Sequence, residues 1–198
     1  DRIAQVRLVA TDPHIGETTG SESMPLPLAA ALKANYHQYF EHILIAHWPG
    51  ENTLSYGDKK LPRRGQYIEE DVIDMLSLNM IKGSRTALHD PHSIIVSRST
   101  AETIFGNDDP INKILKINNE TDATVTGVYE DLPANGRFGE VTYFAPFELM
   151  KISNPWVKES ETNWNNSSFI IYVQVKDNIA MESADAGIKD LYYKDGPK

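Results

Sequence analysis

The stretch SRSTAETIFGNDDP, residues 97–110, gathers the side chains best suited to chemistry. Ser97, Ser99 and Thr100 offer hydroxyl groups, Arg98 lies between them, and Glu102, Asp108 and Asp109 follow closely. A serine nucleophile needs a base to take its proton, and the nearest imidazoles are His89 and His92. Neither a Gly-x-Ser-x-Gly elbow nor a Ser-x-x-Lys arrangement is present. The same residues fit a short helix with well-made ends. Ser99-Thr100-Ala101-Glu102 matches a capping box, in which the serine at the N-cap accepts from the backbone and the glutamate reaches back to the N-cap amide. Gly106 stands where such a helix needs a left-handed residue to stop, and Asp109-Pro110 forces a turned or extended chain. Capping gives every polar residue here a local task. It predicts a helix end, with Ser99 as its N-cap, and no catalytic residue.

Other residues invite a metal or a partner. His37, His42 and His47 are spaced by five, which suits neither one helix face nor one strand face. His89 and His92 flank Asp90-Pro91 without the further ligands of a zinc site. Glu69, Glu70, Asp71 and Asp74 lack the alternating oxygens and glycine of a calcium loop and read as the acidic start of a helix. Asp108-Asp109 and Glu130-Asp131 precede proline turns. Trp156 and Trp164 read as core aromatics or as a binding surface. Asn119, Asn165 and Asn166 begin glycosylation sequons, a pattern common by chance. No metal and no cofactor is expected.

The elements that must position these residues alternate in type. Residues 2–10 predict a strand, and a Gly/Thr/Ser/Pro-rich loop runs from Thr11 to Ser23. MPLPLAAALKANYHQYF predicts a helix beginning near Pro25 or Pro27, with Leu28, Leu32 and Tyr36 on one face. Residues 41–48 predict a second strand. The turn signals PGEN, YGDKK and LPRRG punctuate a hairpin-like region, and QYIEEDVIDMLSLNMIKG holds a short strand and a short helix with Val72, Leu76 and Met80 at i+4. Strands are predicted at HSIIVSRS, INKILKINN, DATVTGVYEDLP and GEVTYFAPFEL. After a polar stretch from Ser153 to Ser168, FIIYVQVKD predicts a buried strand. NIAMESADAGIKDLYY predicts a helix weakened by Gly187. The class is α+β.

The totals exclude several functions. The net charge of −9 over 198 residues argues against nucleic acid, which needs clustered cations. The densest basic group, Lys59, Lys60, Arg63 and Arg64, falls in an expected turn. The absence of cysteine removes disulfides and thiolate metal sites. No apolar run approaches the roughly 20 residues that span a bilayer. The chain opens directly on DRIAQVRLVA, without initiator methionine or signal peptide, which predicts a piece of a longer protein.

With its neighbours, the hydroxyl-rich stretch resembles a known family. MIKGSRTALHDPHSIIVSRSTAETIFGNDDPINKILKIN, followed by ATVTGVYEDLP, is similar to the periplasmic core domain of MacB-like permeases, in the MacB/FtsX-like class of ABC transporters. The matching positions run in order from Gly83, through Ala87-Leu88, Asp90-Pro91, Ser93-Ile94, Ser97, Ala101, Phe105-Gly106, Asp109-Pro110-Ile111, Lys113 and Leu115, to Val125-Thr126-Gly127-Val128 and Asp131-Leu132-Pro133. PLPLAAALKANY, GQYIEEDVIDMLSL and the closing strand and helix also agree. Asn112 replaces a usual glycine, which asparagine can do because it enters the left-handed region. His37 stands near a position often held by proline.

The resemblance implies a non-catalytic extracytoplasmic loop of a bacterial inner-membrane permease, facing the periplasm. It implies a porter-like strand–helix–strand subdomain (residues 1–60 and 146–198) with an inserted, strand-rich Sabre-like subdomain (61–145). Its implied partners are a second permease copy, a cytoplasmic ATPase subunit reached through the membrane domain, and a periplasmic adaptor or outer-membrane protein. Efflux, lipoprotein handling and signalling all occur among similar domains. The alternatives from other classes are a secreted or envelope serine hydrolase using Ser97 or Ser99 with His89 or His92, and an envelope ligand-binding module.

Overall fold

The computed structural model describes residues 2–11, 14, 16 and 18–196. In chain order the elements begin β1 (Ile3–Gln5), β2 (Leu8–Thr11), β3 (Thr18–Ser21), β4 (Met24–Pro25), α1 (Leu26–Asn35) and β5 (Phe40–Ala46). They continue β6 (Gly50–Tyr56), β7 (Lys59–Ile68), α2 (Val72–Met75), β8 (Met80–Lys82), β9 (Ser93–Ser97), α3 (Arg98–Phe105), β10 (Ile114–Ile117), β11 (Thr121–Tyr129), β12 (Tyr143–Pro146) and α4 (Phe147–Ser153). They end α5 (Pro155–Glu159), a 3-10 turn (Ser160–Thr162), β13 (Ser167–Val175), α6 (Met181–Ile188) and α7 (Leu191–Asp195). The class is α+β and strand-rich, as expected.

The chain divides into two compact units. One comprises Asp1–Ala46 and Pro155–Lys198, the other His47–Asn154. The division falls at 46/47 and 154/155, where the expected boundaries were 60/61 and 145/146. The shift has a backbone cause. Every residue of β6 pairs with β7, from Gly50 opposite Gly65 to Tyr56 opposite Lys59, so residues 47–60 are tied to the second unit through that ladder.

In the first unit β13 lies between β1 and β5, antiparallel to both, and its first residues also pair with β4. The run FIIYVQV is buried on both faces, which is why it reads as a continuous apolar strand. Ile171, Val173 and Val175 alternate onto one face and pack with Leu28, Ala29 and Leu32 of α1. Proline sits in the first turn of α1, where its missing N–H has no helical partner to lose. The expected strand at 2–10 is broken: β1 joins β13, while β2 turns away to pair with β3 inside the expected loop. The expected closing helix breaks between Ile188 and Leu191. A Cβ on Gly187 would collide with the Tyr39 ring, so this glycine is a packing requirement. The polar stretch after Ser153 is helical as well, in α5 and the turn after it.

The second unit closes on itself. β6 pairs with β7, β7 with β12, β12 with β9, β9 with β11, β11 with β10, and β10 with β6. The result is a six-stranded ring, with β8 added outside on β11. Closure leaves the ring's strands no unpaired edge. The alternation of each strand sends Leu54, Ile94, Val96, Leu115, Ile117, Ala123, Val125, Tyr143 and Ala145 inward. Ala101, Ile104 and Phe105 of α3 join that cluster and stop one end of the ring. Three expectations change here. Arg63 and Arg64 lie in a strand rather than a turn, the tight turn between β6 and β7 being at Gly57 with φ 56°. The i+4 helix through Met80 stops at Met75, because Ser77 turns left-handed at φ 50°. The expected strand GEVTYFAPFEL becomes a strand only to Pro146, after which α4 begins.

Filling a ring of fixed girth forces small residues where large ones cross it. Tyr143 is fully buried and lies opposite Gly65 in the ladder. A Cβ on Gly65 would overlap its ring, whereas a Cβ on Gly50 meets nothing within 4 Å. Gly65→Ala is therefore expected to lose about 1–3 kcal/mol of stability, as an overpacked core does. Gly50→Ala is expected to stay within about 0.5 kcal/mol of the parent. Urea unfolding of the two variants checks the pair, and equal losses would contradict the assignment.

Candidate functional site

The hydroxyl-rich stretch builds a helix start directly on a strand end. β9 ends at Ser97 and α3 begins at Arg98, with no loop between. The N-cap is Ser97, whose buried Oγ accepts from the Thr100 amide at 3.3 Å. The capping-box pattern predicts Ser99 instead. Ser99 donates its amide (3.1 Å) and its hydroxyl to the Asp131 carboxylate. Arg98 pairs with Glu130, and the Arg63 guanidinium donates to the Thr100 hydroxyl at 3.2 Å from inside the ring. Burial pushes the Asp131 carboxyl up, but the hydrogen bonds from Ser99 and Ser97 hold it, on balance, below its usual value. Gly106 ends the helix at φ 63°, and Asn112 takes φ 64°, both as the sequence predicts.

The two histidines named as bases lie elsewhere. His89 pairs with Glu70 at 3.2 Å. His92 precedes the first residue of β9, whereas Ser97 is its last. Five extended residues separate them by about 16 Å. Ser97 and Ser99 thus have a carboxylate and no imidazole. Among the described residues no group of three or more histidine, aspartate or glutamate side chains converges as a metal site. Of the acidic run, Glu70 engages His89 and Asp74 engages Arg85. His42 sits in the β5 ladder opposite Gln174. Trp156 stacks on Phe169 (centroids 5.6 Å apart) and Trp164 meets Tyr192 edge-on (6.0 Å), so both pack within the first unit.

The open space lies at the other end of the ring. A cavity of about 590 Å³ is lined wholly by second-unit residues, among them Trp48, Asn52, Tyr67, His92, Asn118 and Glu120. Its floor is a hydrogen-bonded set. Asn52 donates to the Tyr143 hydroxyl at 2.7 Å and accepts from Asn118 at 2.7 Å, while Asn118 accepts from the Thr53 amide at 2.9 Å. Burial and the neighbouring Tyr67 push the Tyr143 phenol far above its usual pKa, so it stays neutral. Burial lowers His47 and raises Tyr67, leaving both uncharged near neutrality. Of the cavity's residues the sequence singles out only His47 and His92 as candidate ligands. Trp48 passes unremarked, because a lone tryptophan in an expected strand carries no signal.

The family described as the MacB-like periplasmic core domain matches residues 1–191. No curated protein matches the chain. Among solved structures, a domain assigned as a permease protein from Porphyromonas gingivalis superposes with a TM-score of 0.77 at 24% identity, over 98% of this chain and 81% of that one. The periplasmic region of MacB from Actinobacillus actinomycetemcomitans gives 0.67 at 17% identity, over 90% and 77%. The extracellular domain of the noncanonic ABC-type transporter YknZ from Gram-positive bacteria gives 0.67 at 16%, over 99% and 96%. These likenesses establish the fold.

Three outcomes are expected from the serine geometry. Ser97→Ala is expected to cost about 1 kcal/mol, the worth of an N-cap. The stabilisation that Asp131 provides is expected to be complete above the unfolded carboxylate value of about 4 and to be lost as pH falls through the lower folded value. Asp131→Asn should flatten that acid limb in thermal melts, and an unchanged limb would refute the role. A fluorophosphonate probe is expected to leave Ser97 and Ser99 unlabelled, and a mass-shifted peptide at either serine would revive the hydrolase.

Proposed function

Because the chain belongs to the MacB-like periplasmic core domain family, we propose that it works as the non-catalytic extracytoplasmic domain of an ABC-type permease. The observation that carries this reading is the extent of the family match, which spans both compact units. No helix among the described residues is long and apolar enough to cross a membrane, so the membrane domain of such a permease must be supplied by other sequence. ATP hydrolysis then belongs to a cytoplasmic subunit, and the task of this chain is mechanical. In this reading the first unit is the porter-like part and the second the Sabre-like part. Packed units move as bodies rather than deforming continuously, so displacement of the membrane helices tilts these domains and their envelope partners with them. Efflux of a substrate, handling of a lipoprotein, or signalling to an adaptor or outer-membrane protein would each use that motion. The active assembly would hold two permease copies in the inner membrane, with this domain facing the periplasm.

The chain contains no cysteine, so within this domain an introduced cysteine is the single labelling site, and any cysteine elsewhere in the permease is first replaced by serine. Lys158→Cys places a nitroxide on the exposed face of α5. In the full-length permease reconstituted with its ATPase, the distance distribution between the two labels is expected to differ between nucleotide-free and ATP-bound states. The isolated chain is expected to show no ATP turnover. Superimposable distributions would sink the mechanical role.

A further inference from the structure

The mouth of the six-stranded ring is an open recess lined by both polar and apolar residues. Along β6, Gly50, Asn52 and Leu54 alternate onto the inner face: Leu54 joins the ring's core and Asn52 reaches Tyr143. Gly50 shares their face, and a Cβ on it enters open space. The cavity is therefore the unfilled top of the ring, a common place for small ligands in barrels. Its volume of about 590 Å³ lies within the usual range for a ligand pocket, roughly 300–1,000 Å³.

The lining decides what class of molecule fits. It contains no lysine or arginine, so phosphates, nucleic acid and other anions lack a counter-charge. It does contain Glu120 and Asp122, but Asp122 is already paired with Lys116 at 2.7 Å, which leaves one carboxylate and no cation cage. Glu120 and His92 in the lining exclude a purely apolar guest, because covering those groups without replacement hydrogen bonds is costly. What remains is a neutral molecule with both polar and apolar faces. Trp48 is 38% exposed at the rim, and its indole offers a flat apolar plate with one N–H donor. The Trp48 indole N–H, the His92 imidazole and the Glu120 carboxylate have no protein partner among the described residues, so one donor, one acceptor and one group able to do either face the opening. Asn52 and Asn118 are held in place by each other, so the floor is organised before any ligand arrives.

We propose that this mouth binds a neutral saccharide, one pyranose ring lying on Trp48 with its hydroxyls toward Glu120, His92 and the asparagine floor. A pyranose presents an apolar C–H face and a rim of hydroxyls that each donate and accept, which is the complement of this lining. The site has a further consequence, independent of the permease reading. His47 and Trp48 are where the chain enters the second unit, and Ser153 and Asn154 are where it leaves. All four line the cavity. A bound sugar ties the entering and leaving segments together.

Saturation-transfer NMR on the 198-residue chain tests this, with maltotriose and chitotriose as probes at millimolar concentration. Transfer to ring protons is expected for at least one trisaccharide, with affinity falling roughly tenfold or more in Trp48→Ala, as for a central aromatic anchor. A Cβ at Gly50 meets nothing within 4 Å, so Gly50→Val, which extends a side chain into the mouth, should melt like the parent yet lose the signal. Amide exchange at 47–50 and 153–154 should slow with sugar present. Retention on insoluble cell-wall glycan, competed by the free trisaccharide, would identify a polymeric source, and lack of retention a soluble one. The proposal is overturned by absence of transfer from both sugars, by transfer unchanged in Gly50→Val, or by spermidine competing where the sugars do not.

Discussion

The pairing of β6 with both β7 and β10 closes the second unit, and most of its local chemistry derives from that closure. A closed ring has a fixed girth and no edge through which to adjust, so its inside must be filled by side chains that fit and its ends must be stopped. Tyr143 spans the interior only because Gly65 stands opposite it. Gly127 faces outward at the irregular point of β11, where a Cβ would crowd Met80, Ile95 and Ala87. At one end α3 serves as the plug, and it must start on the residue where β9 finishes. That abrupt change from strand to helix leaves the first amides of α3 exposed to loss of hydrogen bonds. The Ser97 hydroxyl accepts from the Thr100 amide, and the Asp131 carboxylate accepts from the Ser99 amide. A cluster that looks catalytic in one dimension is what a plug without a lead-in loop requires.

The filled interior also separates the ends. His92 stands just before β9 at the mouth and Ser97 ends it at the plug, with Ile94 and Val96 packed between. Residues five apart in sequence are thereby placed in different environments, one open and one buried. Proton transfer between them has no path, and the hydroxyl cluster keeps only its carboxylate. Its polar contacts fasten one element to another, Ser99 to Asp131 and Arg98 to Glu130.

The sequence made local features legible and long-range ones not. The left-handed positions at Gly106 and Asn112, the proline start of α1 and the doubly buried β13 each depend on a few adjacent residues, and each appears as expected. Ser97 and Ser99 are both good caps, and only the end of β9 decides between them. The run Pro62-Arg63-Arg64-Gly65 reads as a turn by composition, yet it is strand because β6 pairs along all of it and β12 joins at Gly65. Leu76 and Met80 keep a helical spacing, but Ser77 reverses the chain to deliver β8 to β11. The resemblance to a family gave the class and the order of elements. It could not give ring closure, which depends on β6 meeting β10 some sixty residues later.

Closure finally explains where the second unit sits in the chain. A unit inserted within another must begin and end close together, and here both ends reach the same cavity, through His47 and Trp48 on one side and Ser153 and Asn154 on the other. A ring achieves this naturally when its first and last elements approach the same rim: β6 starts at the mouth, and α4 leads the chain out of it after β12. The plug end, by contrast, is reached only by internal connections, so it can be packed solid without obstructing the chain's entry or exit. The mouth cannot be packed in the same way, because the chain must pass there twice. The requirement that permits insertion therefore also preserves an open, polar recess at the one place where both connections meet.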